Sequence, residues 1–251
     1  MIIDFPKASH IPALRTLWKQ AFGDADTFLD KFFRIGFSFD RCRCIFQEDR
    51  PVSVLYWFDC TWEEQKLAYL YAVATDSAYQ GQGLCRRLMD DTHTHLQTLG
   101  YTGTVLVPGS ESLFGFYGKM GYLPCSPVNR FSCSAATAIP LQKISGAEYA
   151  QLRKNCLPKG SVLQEGETLA FLAGFADFYA GEDCLFCGAA ENGVFKAQEF
   201  LGDSLAAPGA LSALGLQEGH FRTPGESNSL AMFYPLSPTE KPPAYFGIPL
   251  D

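Results

Sequence analysis

Two glycines at the start of a predicted helix are the residues best suited to chemistry in this chain. An apolar, β-favouring run that ends near Val73 breaks at a polar turn, and Gln80-Gly81-Gln82-Gly83 follows it. Leu84 and Leu88 then begin one apolar helical face. Because glycine has no Cβ and the first N–H groups of a helix lack partners, a ligand can approach these donors closely. The stretch therefore predicts a site for a phosphate or pyrophosphate.

Two common phosphate-binding loops do not match this stretch. The dinucleotide-binding fingerprint needs a third glycine three residues after Gly83, and Arg86 stands there. The Walker loop needs Gly-Lys followed by Ser or Thr, but Gly118-Lys119 is followed by Met120. The phosphate site must therefore follow another pattern.

The pattern that fits is Gln-x-x-Gly-x-small, from Gln80 to Cys85. It resembles the acetyl-CoA pyrophosphate loop of the GNAT acetyltransferase superfamily, where glycine or alanine usually stands at the position of Cys85. A second stretch, Ser110 to Tyr122, resembles the family's next motif, in which a short helix ends in aromatic-Tyr-x-Lys-x-Gly-aromatic. Gly121 suits the left-handed position that closes such a helix. The two motifs identify residues 1 to about 134 as similar to a GNAT domain.

The resemblance implies acetyl-CoA as co-substrate, and the residue spacing discussed below predicts no metal. Arg86, Arg87 and Lys119 are candidate partners for the 3′-phosphate, with plain solvation of each side chain as the alternative. Ser110 stands where many family members carry an asparagine, a departure that weakens one expected contact. The resemblance implies the following cofactor-binding residues: Val73, Ala74, Thr75, Gln80, Gly81, Gln82, Gly83, Leu84, Cys85, Arg86, Ser110 and Tyr117.

Tyr117 matches the family tyrosine whose hydroxyl lies beside the thioester sulfur. A phenol, with a pKa of ~10, stays protonated at neutral pH and can donate a proton to the departing thiolate. The general base is left open by the sequence. Glu111, a water chain and the terminal carboxylate of Asp251 are the three candidates, and in the enhanced-intracellular-survival group the chain terminus enters the active site.

Aromatic residues on the second predicted helix are candidates for the acceptor side. In the GNAT pattern the first two helices wall the acceptor cleft, so Phe28, Phe32 and Phe33 are expected to contact substrate. The alternative is that these three rings belong to the core.

The sequence predicts an α/β (α+β) protein in two domains. Residues 1–134 are expected to form a GNAT fold, with a mixed, mostly antiparallel sheet flanked by helices. Residues 135–251 are expected to form a second, smaller and degenerate GNAT-like α/β domain, as in tandem members of the superfamily. Within it, residues 168–179 predict a helix, Asn192-Gly193 predicts a hairpin turn, and the final extended segment predicts a strand that closes a sheet edge.

Composition narrows the functional classes. The chain has 251 residues, 47% hydrophobic and 19% charged, and a net charge of −7 without a basic block, which argues against a nucleic-acid partner. The sequence shows neither a signal peptide nor a membrane-length apolar run. Nine cysteines then predict reduced thiols in the cytoplasm. Cys42-x-Cys44 and Cys184-x-x-Cys187 favour core cysteines over a metal site.

The sequence therefore predicts an acetyl-CoA-dependent N-acetyltransferase that transfers acetyl directly to an amine of a small molecule or peptide. The alternatives are a non-catalytic acyl-CoA-binding sensor or scaffold and, less favoured, a nucleotide-binding module. The identity of the acceptor and the oligomeric state do not follow from the sequence.

Overall fold

The computed structural model describes residues 1–238 and 241–250, whose strands form one twelve-stranded sheet. The first half consists of β1 (Ile2–Asp4), α1 (Ile11–Phe22), α2 (Asp26–Lys31), β2 (Cys42–Gln47), β3 (Arg50–Trp62), β4 (Gln65–Thr75), α3 (Leu84–Thr98), β5 (Tyr101–Leu106), α4 (Glu111–Gly118) and β6 (Leu123–Ser134). The second half consists of β7 (Gln142–Ile144), α5 (Gly146–Cys156), α6 (Glu167–Leu172), β8 (Asp177–Ala180), β9 (Cys184–Glu191), β10 (Val194–Gly202), α7 (Ala207–Ala213), β11 (Glu218–Pro224) and β12 (Asn228–Pro235).

The sheet is mixed and mostly antiparallel, which confirms the predicted fold class. Its strand order is β1-β2-β3-β4-β5-β12-β6-β11-β10-β9-β8-β7. Only β4 with β5 and β10 with β11 are parallel among these pairs, and one helix connects the two strands of each pair. Residues alternate between the two faces, so that Tyr56 and Phe58 pack on one side with α1 while Leu55 and Trp57 pack on the other with α3.

The two halves repeat one order of elements and exchange their last strands. In each half a short strand, two helices and three antiparallel strands precede a helix and a parallel strand. Strand β12 lies between β5 and β6, and β6 pairs with β11 of the second half. Because the hydrogen-bonded ladder crosses between the halves three times, at β5–β12, β12–β6 and β6–β11, they share one sheet. The boundary between residues 134 and 135 stays a prediction.

Secondary structure near residue 175 differs from the sequence-based expectation. The helix predicted over residues 168–179 ends at Leu172, and Asp177–Ala180 form strand β8 instead. Phe178 pairs there with Cys187 of β9, so sheet pairing overrides a local helical pattern. The Asn192-Gly193 hairpin is confirmed, with both residues at positive φ between β9 and β10.

The C-terminal segment is described over residues 241–250, and its residues 245–250 lie in the core and not at a sheet edge. The sheet edges are β1 and β7, so the predicted edge strand is wrong. Side chains hold the segment's backbone: Ser126 exchanges two hydrogen bonds with Phe246, and the Gln164 amide bonds the N–H and C=O of Ile248. Leu250 is completely buried. The tail packs inward because four of its apolar residues would otherwise face water.

Candidate active site

The glycine loop has the backbone that the sequence predicts for an anion site. Gly81 and Gly83 both have φ of +74°, a left-handed conformation that side chains rarely adopt, and Gly83 directly precedes α3. A Cβ built on either glycine meets nothing within 4 Å, so the space above the loop is open. Gln80 supports the loop by donating from Nε2 to the carbonyl of Thr75 at 3.1 Å. The first N–H groups of α3 therefore point at accessible space with a positive helix end behind them.

Strands β4 and β5 separate beside this loop. Their parallel pairing ends at Tyr69 and Val105, although β4 continues to Thr75. Ala72 has φ of +48° at a bulge in the pairing of β4 with β3. Beyond that point the β5-facing edge of β4 has no paired strand, so its backbone groups can bind an extended ligand as an added strand would.

A cleft of about 600 Å³ opens over the loop, and we call it the loop cleft. Arg86 closes one side of it, because its Nη2 donates to the carbonyl of Lys119 at 2.6 Å and so joins α3 to the end of α4. The loop cleft is lined by Val73, Thr75, Tyr79, Gln80, Gly81, Gly83, Leu84, Cys85, Arg86, Leu113, Phe116, Tyr117, Lys119 and Met120.

Three residues expected at the cofactor do not line the loop cleft. Ala74 is buried in the sheet, Gln82 points its amide back to the carbonyl of Ala78, and the hydroxyl of Ser110 contacts that of Ser112 in solvent. Arg87, a candidate for the 3′-phosphate, donates to the carbonyl of Met1 instead. The structure thus brings nine of the twelve predicted cofactor-binding residues together in the loop cleft and places Ala74, Gln82 and Ser110 outside it. The role of all twelve in binding stays a prediction.

A second cleft of about 350 Å³ adjoins the first, and we call it the aromatic cleft. It lies between α1, α2, the open end of β4 and β5, and the C-terminal segment. Phe28 lines it, whereas Phe32 is fully buried against Trp18 and Phe33 packs at the edge of the core. The cleft is lined by Trp18, Phe22, Asp24, Phe28, Tyr69, Leu70, Tyr71, Ala72, Val73, Leu106, Val107, Gly109, Leu113, Tyr117 and Leu250.

Tyr117 lies where the two clefts meet. It lines both, together with Val73 and Leu113, and the residue is only 7% exposed. Burial, and to a smaller extent the nearby Cys85 thiol, raises the pKa of Tyr117 well above its usual value of 10. The phenol is therefore a hydroxyl at all physiological pH values and can act only as a proton donor.

The two carboxylate candidates for the general base differ in what the structure shows of their position. Glu111 is exposed in the first turn of α4 and lines neither cleft. Asp251 lies outside the described residues, although its neighbour Leu250 lines the aromatic cleft and accepts a 2.7 Å hydrogen bond from the Tyr71 hydroxyl. The Tyr69 hydroxyl accepts a hydrogen bond from the N–H of the same leucine.

Sequence reasoning missed Asp24, the carboxylate that lines the aromatic cleft. Gly23, with φ of +76°, ends α1 and turns the chain so that Asp24 falls between the two helices that wall the cleft. The Phe22-Gly23-Asp24 helix break was the available signal. Tyr69, Tyr71 and Leu250 were missed because only the tertiary structure brings them together.

Metal and membrane features complete the description. Within residues 1–238 and 241–250, no group of three or more histidine, cysteine or acidic side chains is arranged to hold a metal ion. Cys42 and Cys44 are buried, with their sulfurs 3.8 Å apart. In the same residues, none of the helices combines the length and apolar character needed to cross a bilayer.

Known proteins resemble this chain in sequence over one half and in fold over nearly all of it. The family model for the acetyltransferase (GNAT) domain matches residues 3–125. The fold is similar to that of a GCN5-related N-acetyltransferase from Anabaena variabilis (TM-score 0.71, 14% identity, covering 94% of this chain and 73% of that one). The fold is also similar to that of a GCN5-related N-acetyltransferase from Kribbella flavida (TM-score 0.70, 15% identity, covering 94% of this chain and 72% of that one).

Eis1 from Mycobacterium abscessus shares the fold at a TM-score of 0.66 and 11% identity, with coverage of 94% of this chain and 74% of that one. At these identities the structural likeness shows the fold alone. No curated protein sequence matches the chain. The family assignment therefore depends on the domain match together with the fold. Residues 3–125 are therefore an acetyltransferase domain of the GNAT family.

Proposed function

We propose that the protein is an acetyl-CoA-dependent N-acetyltransferase that transfers acetyl directly to a primary amine of a small molecule or peptide. The observation that carries this proposal is the position of Tyr117, a buried and protonated phenol at the junction of two clefts. One cleft suits the donor and the other the acceptor, so both substrates can meet at its hydroxyl.

The loop cleft has the properties that acetyl-CoA requires. Gly81 and Gly83 leave open space in front of the free N–H groups of α3, where a pyrophosphate fits. Lys119 lines the same cleft and offers a positive charge for a further phosphate. The free edge of β4 at Val73 and Thr75 offers backbone hydrogen bonds to the pantetheine arm.

In the proposed step, the neutral amine attacks the thioester carbonyl, so that a C–N bond forms and the C–S bond breaks. The departing thiolate takes the proton of the Tyr117 hydroxyl. The new amide nitrogen loses one proton, which restores the phenol through solvent, and the net products are an amide and the free thiol. Tyr117 thus neutralises the charge that develops on sulfur.

Thiol release from acetyl-CoA across a panel of amines tests the proposal. The Tyr117→Phe variant removes one oxygen and keeps the ring, so acetyl-CoA affinity should barely change. Turnover should fall about 100-fold, at the lower end of the usual effect of general acids because thiolate leaves readily. Tyr179→Phe, which removes a hydroxyl bonded to Asp177 in the second half, is the matched control.

The pH dependence of turnover is a second, independent test of Tyr117 as the proton donor. Because burial raises the Tyr117 pKa, wild-type turnover should show no loss from tyrosine ionisation below about pH 10. A Tyr117→Phe variant within twofold of wild type at every pH would exclude the tyrosine as the acid. Tight acetyl-CoA binding without thiol release from any amine would favour the non-catalytic acyl-CoA sensor instead.

A further inference from the structure

The aromatic cleft contains a single charged side chain among its described lining residues, and that side chain is Asp24. We propose that the acceptor is a small amine with a second, positively charged nitrogen on an apolar spacer, and that Asp24 binds this second nitrogen. The inference rests on the proposed function and specifies the substrate class of the same site.

The carboxylate of Asp24 is held in one orientation and has no cationic partner among the described residues. Its Oδ2 accepts a 2.8 Å hydrogen bond from the indole N–H of Trp18. Trp18 is itself fixed by ring contacts with Phe32 at 4.5 Å and Tyr56 at 5.4 Å. None of the ion pairs between described residues includes Asp24, whereas Asp26, two residues later, pairs with Arg15 and Lys19.

A fixed carboxylate that faces a cleft without a counter-charge favours a cationic ligand. The rings of Trp18, Phe22 and Phe28 line the same cleft, and aromatic rings bind cations as well as apolar groups. The rest of the wall is aliphatic or backbone except for Tyr69, Tyr71 and Tyr117. The Tyr69 and Tyr71 hydroxyls are already hydrogen-bonded to the backbone of Leu250, so a neutral, apolar spacer fits this wall better than a chain with several charged groups.

Asp24 and Tyr117 belong to different parts of the cleft. Tyr117 also lines the loop cleft, where the thioester would lie, but Asp24, Trp18, Phe22 and Phe28 line the aromatic cleft alone. The nitrogen that receives the acetyl group must be near Tyr117. The charge that Asp24 holds is therefore carried by another atom of the acceptor, and Asp24 determines specificity without taking part in the transfer.

Three probes that share one ring and one aminomethyl group test this inference. The probes are para-xylylenediamine, benzylamine and para-aminomethylbenzoate, which place a positive, no and a negative charge at the far end. With wild-type protein we expect kcat/KM for the diamine to exceed that for benzylamine by at least about tenfold, as for a hydrogen bond to a charged group. The benzoate should be the poorest substrate.

The Asp24→Asn variant keeps an oxygen for the Trp18 indole and removes the charge. Its kcat/KM for the diamine should fall to the benzylamine level, while benzylamine itself changes less than twofold and so reports an intact fold. Asp26→Asn, which removes a carboxylate already paired on the surface, should leave all three values unchanged.

Calorimetric titration of the diamine in the presence of CoA gives a readout that does not require turnover. Binding at least about tenfold weaker in Asp24→Asn than in wild type would support the inference. The inference would be overturned if wild type used the three probes equally well, or if Asp24→Asn lost the same factor in kcat/KM for all of them. Equal diamine affinities in wild type and Asp24→Asn would overturn it as well. Absence of thiol release from every amine would instead overturn the proposed function, and the titration would still decide the role of Asp24.

Discussion

Replacing Gly83 with Ala tests whether the glycine loop binds the pyrophosphate. Gly83 has φ of +74°, and an alanine in this left-handed conformation costs roughly 1–2 kcal/mol of stability. A Cβ there meets no protein atom within 4 Å, so it would project into the space that a phosphate would enter. We expect acetyl-CoA affinity to fall at least about tenfold, equivalent to ~1.4 kcal/mol.

Gly100 provides a matched control at the other end of α3. It has φ of +80°, and a Cβ built there also meets nothing within 4 Å, so Gly100→Ala should cost similar stability without touching the loop cleft. Isothermal titration of acetyl-CoA into wild type and both variants measures affinity and should also give one site per chain. Equal dissociation constants for Gly83→Ala and Gly100→Ala would refute the assignment of the loop.

Two further predictions concern stability, both measurable by urea denaturation. Burial lowers the pKa of His93 from 6.5 to about 4, so as pH falls the unfolded chain binds a proton at this histidine before the folded chain does. Between pH 7 and pH 5 the free energy of unfolding should therefore drop roughly 2 kcal/mol more in wild type than in His93→Gln. Equal losses in the two proteins would contradict this prediction. Glu199→Gln should cost about 3–5 kcal/mol of unfolding free energy, because it leaves the buried Arg153 charge without its carboxylate. Glu191→Gln, in an exposed pair with Lys196, should leave stability nearly unchanged, and similar losses for the two variants would refute the distinction.

Local features of the fold and site could be predicted from the sequence. The Gln80–Gly83 turn, the start of α3 and the Asn192-Gly193 hairpin depend on residues that are adjacent in the chain. Their glycines adopt positive φ regardless of what lies elsewhere in the structure. The Tyr117 motif was recognisable for a similar reason, since one short helix, α4, carries it.

The aromatic cleft could not be predicted in this way. It combines Asp24 from a helix break, Tyr71 from a bulged strand and Leu250 from the end of the chain. These residues lie far apart in sequence, and none belongs to a pattern that points to the other two. Even the three candidate aromatic residues divided between cleft and core, because the sequence does not show which side of α2, or of the π-helical turn Phe32–Gly36 that follows it, faces a cavity.

The sequence by itself thus determined the glycine loop, the helix that follows it, the Asn192-Gly193 hairpin and the family motifs. Only the tertiary structure decided that β12 lies between β5 and β6, that residues 177–180 extend into a strand, and that the tail packs beside Tyr69 and Tyr71. The physical reason is the range of the forces involved. Backbone dihedral preferences act within a few residues, whereas burial of apolar surface and pairing of strands join whichever segments can meet in space.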